Sequence, residues 1–499
     1  MNKPLLTLVM ITAFTLRAPL ADAGTEPVSL TMQQAIRLAV ENNLDVRAEL
    51  YNPAQFEAQI QQNLAIYDPI FSAQTGVTDI TDGSPSLLGP DPIRNQAWQI
   101  NTELSRLFPT GAIASVGFDN ALYSNNSATL FHNYWQTGLG VSISQPLLKG
   151  FGRENTEAAI NISRLSKSAS LERFNDRLLS TVAEVHRQYF TLYNLREQRE
   201  VRKVSLELAQ KILAETKSRV EAGVLPAMEI LNAEYGVAAR EKEVLDAEQA
   251  VLDQSDTLGV LLQLHGQGEI TPVDSPRHDP MVVDADQAIK QALSTPAIRE
   301  QKKNLEITKL QSRIYANQTK PDLALVASSN MGGLDRNYGR DLEKVGSLSY
   351  PAWQLGLNLS YPLGNNAAEN AYRQSLLKSD QTALRIRALE EQVTNAVKAA
   401  IRAIDTGGKQ MVVANRGVAY AEERLNSFIR KNEVGLATTR EVLEVENDLA
   451  QAKNNRIAAV VNYDLAINRL WSVTGELLAQ ERVRVDEGAA DALYLKSAR

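Results

Sequence analysis

Two runs of this chain leave little open to them but long helix. Between Glu154 and Glu221 there is neither Pro nor Gly, and between Asn366 and Glu433 the only interruptions are Gly407-Gly408 and Gly417. At 1.5 Å per residue each run, if helical throughout, is a rod of about 100 Å. No compact domain of this size holds such a rod. Each run ends near a glycine, Gly223 or Gly435, after which helical periodicity resumes. Superposing these two glycines, 212 residues apart, also superposes Glu229 on Glu441, Leu231 on Leu443, Glu234 on Glu446 and Leu258 on Leu470. The break belongs to an internal repeat.

The repeat extends beyond the rods. SLTMQQAIRLAVENN, with Leu30, Ala35, Ile36 and Ala39 on one helical face, opens the first half, and Gln34-Ala35-Ile36 recurs as Gln287-Ala288-Ile289 at the opening of the second. Between the halves Pro272, Pro276 and Pro280 mark a linker. The resulting organisation is a first repeat over 24–270, a linker over 271–283, a second repeat over 284–478 and a C-terminal tail over 479–499. Residues 1–23 read as an export signal: Lys3, a largely apolar stretch from Leu5 to Leu16, and Ala21-Asp22-Ala23 as the cleavage pattern. Removing them moves the formal charge from −7 to −8, since Lys3, Arg17 and Asp22 leave together. That mild acidity argues against nucleic acid as a partner.

Each half also changes period from 3.6 to 2. In WQINTELS, Trp98, Ile100, Thr102 and Leu104 alternate with Gln99, Asn101, Glu103 and Ser105; in WQLGLNLSYPL, Trp353, Leu355, Leu357, Leu359 and Tyr361 alternate with Gln354, Gly356, Asn358 and Ser360. Phe71–Val77, Ala114–Phe118 and Leu139–Ile143 follow the same rule. No later stretch has 18 uninterrupted apolar residues, so a membrane, if spanned, is spanned by strands. A half-buried soluble sandwich would alternate in the same way. The export signal, together with Trp98, Trp135, Tyr350, Trp353 and Tyr361 at the ends of the apolar rows, favours a membrane barrel with an interfacial aromatic girdle.

Past the breaks, apolar residues continue at heptad spacing: Leu231, Ala238, Leu245, Leu252 beside Val237, Val244, Val251, Leu258, and in the second half Leu443, Ala450, Ile457. The rods are expected to fold back as coiled-coil hairpins whose tips are Gly223 and Gly435, with Pro226 in the first turn of the returning helix.

Signal peptide, duplicated strand pairs, long helices and the turn Val434-Gly435-Leu436 together resemble the TolC family of bacterial outer-membrane efflux proteins, the channel components of tripartite efflux or type I secretion systems. So does SQPLLKGFG (Ser144–Gly152), matched by SYPLGN (Ser360–Asn365). The resemblance implies a mixed α and membrane β fold: a homotrimer in which an outer-membrane β-barrel is continued by a periplasmic α-helical coiled-coil barrel. It implies an export duct in the bacterial outer membrane, with a large periplasmic portion, outer-membrane lipid around it, and a periplasmic adaptor (membrane fusion) protein and inner-membrane pump as partners. By the same resemblance, Glu441 and Glu444 form the acidic selectivity rings at the periplasmic aperture, with Glu229 as the counterpart of Glu441 in the first repeat. In a trimer, six carboxylates from Glu441 and Glu444 would favour cations, and crowding would raise some of their pKa values. The docking tips are Gly223, Val224, Leu225 and Pro226, and Val434, Gly435 and Leu436. The family often carries an Arg two residues after the tip glycine, where this chain has Ala437; either Arg440, close by, pairs with Glu229 of the neighbouring hairpin, or the chain has no such lock. The family pattern has two strands per repeat, and residues 96–121 add a hairpin around Phe108-Pro109-Thr110-Gly111.

Nothing in the sequence points to catalysis or to a cofactor. There is no Cys, and His132, His186, His265 and His278 are scattered without ligand spacing. DTGGKQ lacks the first Gly that a phosphate loop needs and has Gln410 where it needs Ser or Thr. The other class consistent with long hairpins is a periplasmic coiled-coil adaptor or scaffold, which would carry one hairpin rather than two.

Overall fold

The computed structural model describes residues 28–83, 92–126, 131–264, 268–483, 486 and 488–497. The export signal expected over 1–23, His265 and parts of the tail lie outside the described residues. The first half runs β1 (Val28–Leu30), α1 (Met32–Asn42), α2 (Leu44–Leu64), β2 (Ile70–Asp82), β3 (Ile93–Leu107), β4 (Ile113–Asn125), β5 (Asn133–Pro146), α3 (Arg153–Thr156), α4 (Ala158–Glu221), α5 (Met228–Leu262) and β6 (Ile270–Pro272). The second runs α6 (Ala285–Ala292), α7 (Pro296–Gln318), β7 (Asp322–Gly332), α8 (Tyr338–Gly346), β8 (Tyr350–Ser360), α9 (Asn366–Glu433), α10 (Thr439–Thr474), α11 (Leu477–Gln480) and α12 (Ala489–Ser497). The chain forms two compact units, one from 1–43, 181–282 and 402–469, the other from 44–180, 283–401 and 470–499. Both repeats contribute to each unit.

The recurrent Gln-Ala-Ile marks two capped helices. Thr31 accepts from the Gln34 amide while the Gln34 side chain accepts from the Thr31 amide, closing a capping box on α1; Asp284 caps α6 by accepting from the Asp286 and Gln287 amides. The rods are real: α4 has 64 residues and α9 has 68, unbroken through Gly407, Gly408 and Gly417. At Gly407 a Cβ would stand 3.3 Å from the Tyr463 ring, so the missing side chain lets α10 approach α9 closely.

The second unit holds one antiparallel six-stranded sheet in the order β2-β3-β4-β5-β7-β8. The hairpin noted around Phe108–Gly111 is β3–β4, closed by Phe108 N–H to Ala112 O (2.7 Å) with Gly111 at φ 89°, and it lies inside the sheet, flanked by β2 and β5. The first repeat thus supplies four strands and the second two. Sequence spacing shows where the extra pair entered: Pro69 and Pro321 are 252 apart, but Pro146 and Pro362 only 216, so the first half carries 36 more residues between its first and last strand.

Alternation sorts the sheet into two faces. Phe71–Leu104–Val116–Val141–Ser329–Trp353 is one cross-strand row on the apolar face, and Ser72–Glu103–Gly117–Gly140–Asn330–Ala352 is the next row, on the other. Across three strands Trp98 is opposite Leu122 and Leu122 opposite Trp135, a row at the end of the apolar band remote from the first residues of β2. Tyr350, three residues from Trp353, has the opposite parity and lies on the polar face with Gly332 and Gly138; Tyr361 falls just past the end of β8. Tyr350 is therefore not in the row that Trp353 extends.

The β7–β8 connection folds over the apolar face at β5. Asn337 caps α8 by accepting from the Gly339 and Arg340 amides, the Tyr338 ring tilts on Trp135 at 4.7 Å, and Thr137 donates to the fully buried Asp341 at 2.6 Å. Lys344 closes the loop on Asp335 and on the Leu334 carbonyl, both at 2.7 Å.

In the first unit, Leu425 of α9 and Val442 and Val445 of α10 form a buried cluster against Leu208 and Ile212 of α4. Of the two heptad stripes on α5, Val244, Val251 and Leu258 are buried, whereas Leu231, Leu245 and Leu252 are more than half exposed. The inter-repeat segment is pinned rather than loose. The Tyr189 hydroxyl donates to Leu30 O and accepts from the Val273 and Asp274 amides, and the Tyr463 hydroxyl donates to Asp279 O and accepts from the Met281 amide.

Candidate functional site: the paired helical turns

Both rods end in the same backbone device. After α4, Gly223 at φ 75° donates to Val220 O and Val224 N–H reaches Arg219 O; after α9, Gly435 at φ 77° donates to Asn432 O and Leu436 N–H reaches Lys431 O. These are paired Schellman bonds, which need a left-handed residue that glycine supplies without a steric penalty. No atom lies within 4 Å of where a Cβ would be at either glycine. Val224 and Leu436 beside them are exposed at 64% and 78%, so the turns end in bare apolar side chains.

Glu441 and Glu444 occupy one exposed face of α10, three residues apart, while Val442, Leu443, Val445 and Glu446 between and beyond them are buried. Each carboxylate has a local partner. Glu441 accepts from the Thr438 amide at 2.7 Å and from its hydroxyl at 3.0 Å, while the Thr438 hydroxyl accepts from the Glu441 amide: a capping box at the start of α10. The Thr438 amide first, and its hydroxyl second, hold the Glu441 carboxyl below its ordinary pKa, in the direction opposite to the rise expected from crowding. Glu444 accepts from Arg440 at 2.9 Å along the helix. Arg440 therefore turns to its own helix and not to Glu229. Glu229 sits in the first turn of α5, with one carboxylate oxygen buried and without a hydrogen-bond partner.

The contact that ties the two hairpins together was not visible in the sequence. Arg219, in the last turn of α4, donates from both terminal nitrogens to the Asn432 carbonyl at 3.1 Å and from one of them to the Asn432 side-chain oxygen, while Asn432 Nδ2 donates to Ala437 O. The partners are 213 residues apart, and nothing local marks them. A second tie lies further along the helices. Glu446 is 3% exposed; it accepts from Ser205 and from Arg240 at 3.1 Å, and Arg240 also donates to Leu443 O. Gly236 makes room for this, since a Cβ there would stand 2.7 Å from Leu443 Cδ1.

The histidines stay apart. His186 is buried 3.5 Å from Asp464, but burial first and the charge of Arg277 second lower its pKa to about 3, so the ring is neutral and the contact is no ion pair. His132 contacts the Asn125 carbonyl in the β4–β5 turn and His278 lies in the inter-repeat segment. Among the described residues no group of three His, Asp or Glu could hold a metal ion, and no helix is long and apolar enough to cross a membrane.

Comparison with known proteins places this architecture. The family model for outer membrane efflux proteins matches residues 98–262 and 288–476, one match in each repeat. The outer membrane efflux protein BepC of Brucella suis is 24% identical over 355 residues, covering 70% of this chain and 74% of its own length. Among solved structures, the outer-membrane channel OprN superposes with a TM-score of 0.67 at 13% identity, over 89% of this chain and 90% of its own. The Campylobacter jejuni CmeC outer membrane channel superposes with a TM-score of 0.64 at 14% identity, over 92% and 90%. With both repeats matched over more than half of its length, the chain belongs to the outer membrane efflux protein family, and it is an efflux duct of the outer membrane.

Proposed function

We propose that three copies of this chain assemble into one duct that receives cargo from an inner-membrane pump, through a periplasmic adaptor, and releases it outside the cell. The observation that carries the assembly is the exposed heptad stripe of α5. Leu231, Leu245 and Leu252 are 63%, 66% and 53% exposed, at the spacing of a coiled-coil seam, and a soluble helix keeps such a stripe only to cover it with another helix. The sheet has the same need, because a single copy leaves both of its edges open in lipid. A lone periplasmic adaptor or scaffold would have no use for a six-stranded sheet with one apolar face.

The turns Gly223–Pro226 and Val434–Leu436 are the docking surface for the adaptor, through the exposed Val224, Val434 and Leu436. Glu441 and Glu444, with Glu229 in the first hairpin, line the periplasmic aperture and favour cations there. Transport needs no bond chemistry from the chain. Mass measurement in mild detergent tests the assembly: a trimer is expected, and a stable monomer that still conducts ions would overturn it.

A further inference from the structure

We infer that the sheet closes by pairing β2 of one copy with β8 of the next, Ile70 opposite Ser360, and that three copies therefore enclose an eighteen-stranded barrel. This rests on the three-copy duct proposed above and adds to it the register, the strand count and the width of the membrane passage.

The first support is the pair of edges. β2 and β8, of 13 and 11 residues, are the outer strands of a sheet that is antiparallel at every step, so β2 and the β8 of another copy also meet antiparallel. Unpaired backbone N–H and C=O groups in hydrocarbon cost several kcal/mol each, which forbids an open edge of this length.

The second is the stagger. The cross-strand row that begins at Ile70, the first residue of β2, runs through Ser105, Ser115, Ser142 and Ser328 and leaves β8 at Gln354, six residues before Ser360. One residue of stagger per strand, with a rise of about 3.3 Å per residue and about 4.8 Å between strands, is a tilt of about 35°. Closed barrels have tilts of about 35–45°. A neighbouring β2 that starts level with Ser360 continues the same slope around the ring.

The third is the match of faces. Ile70 opposite Ser360 sets Phe71 against Leu359, Thr75 against Leu355 and Val77 against Trp353, all on the apolar face; a slip by one residue would turn the whole edge inside out. The same register extends the row of Trp98, Leu122 and Trp135 through Val77 to Trp353 of the neighbour. The indoles of all three tryptophans then belong to one row at the outer edge of the apolar band, as an interfacial girdle requires.

Since β3–β4 sits between β2 and β5, it is part of the wall. Eighteen strands at this tilt give a circumference of about 105 Å and a backbone diameter of about 33 Å, in the range that leaves an aqueous channel. The polar face turned inward carries Gln99, Asn101, Glu103, Asp119 and Gln136. The outer-membrane segment is then a wide wet pore, and selection falls to the periplasmic end.

The chain has no Cys, so introduced pairs are unambiguous. Gln74→Cys/Gly356→Cys places two thiols opposite each other across the inferred seam, on the water side; Gly356 has open space for a Cβ. In oxidised outer membranes this variant should give covalent dimers and trimers that reductant reverses, and Gln74→Cys/Leu355→Cys, on opposite faces, should give none. Ser115→Cys/Ser142→Cys, at a pair whose hydroxyls are 2.8 Å apart, should close within each chain and lose its free thiols. A trimer by mass whose seam pair stays reduced, or links equally well in the mismatched variant, overturns the register. A linked seam with Ser115→Cys/Ser142→Cys still open places the hairpin outside the wall and overturns the count of eighteen. A monomer by mass removes the duct itself, and the seam with it.

Discussion

The first and second hairpin turns share a backbone and little else. Both reverse through a glycine near φ +76° with the same two Schellman bonds, yet the side chains around them work in different directions. Glu234 and Glu446 are equivalent in the repeat, but Glu234 is half exposed and pairs with Lys217 of its own hairpin at 3.0 Å, whereas Glu446 is buried and held by Arg240 and Ser205 of the other. The second α10 start is closed by the Thr438–Glu441 capping box; the first α5 start has Pro226 and an alanine N-cap with no side-chain bond. Duplication kept the device that reverses the chain, where only a left-handed residue serves, and let the helix faces diverge into an inward one and an outward one.

The largest expected effect breaks the equivalence at the turns themselves. Gly435→Trp puts a bulky residue at a left-handed position, at a local cost of about 1–2 kcal/mol, and should abolish export while the protein still reaches the outer membrane. Leu436→Asp, without backbone strain, should lower export less severely. Export assays alongside membrane fractionation decide, and wild-type export by the Trp variant would mean that the partner binds elsewhere. Next comes the glutamate pair. Arg240→Ala leaves a buried carboxylate uncompensated and should cost about 3–5 kcal/mol, whereas Lys217→Ala, at a half-exposed pair, should cost no more than about 1 kcal/mol. Equal losses in urea melts would erase the distinction between inner and outer faces. Arg219→Ala removes the charged donors to Asn432 and should cost about 1.5–3 kcal/mol, with faster proteolysis at the turns as its signature.

The smallest effect on folding is at the aperture. Glu441→Gln keeps an acceptor for the Thr438 amide, so the double variant Glu441→Gln/Glu444→Gln should fold as the wild type does while losing cation preference and block by multivalent cations in single-channel recordings. Because the Glu441 pKa is lowered in the folded chain, its capping contribution is full above the ordinary carboxylate value near 4.5 and is lost as pH falls through the lowered one. The share of cation preference that Glu441 supplies in the wild type should therefore persist below pH 4.5 before it fades, and the double variant should show no such step. Unchanged selectivity in that variant would make both residues ordinary coiled-coil surface.

Much of this was legible in the chain because it is written locally. Absence of Pro and Gly gave the rods, the offset of 212 gave the tips, and period two gave every long strand except β7. Parity also carried information that residue type obscured: Tyr350 and Trp353 are both aromatic, but an odd spacing assigns them to opposite faces. Illegible were the facts set by long-range pairing. Whether β3–β4 entered the sheet depended on partners in β2 and β5. Arg219 gave no sign that it would reach Asn432, and Arg440, for which a pair with Glu229 was one of two alternatives, found Glu444 one turn away, where helix geometry offers a partner at no loop cost. The nine-residue α8 carried only a short amphipathic signal, Asp341, Leu342 and Val345 after an Asn cap.

The connection that holds α8 sets its own limits on sequence drift. A Cβ on Gly333 would stand 2.3 Å from the Asp341 carbonyl oxygen, and the Asp341 side chain is sealed against Thr137. An exposed connection would ordinarily be free to vary. Here substitution is open at exposed positions such as Arg340 and Glu343, but Gly333, Thr137 and Asp341 can change only together. The β7–β8 connection can therefore change its chemical appearance without changing its shape.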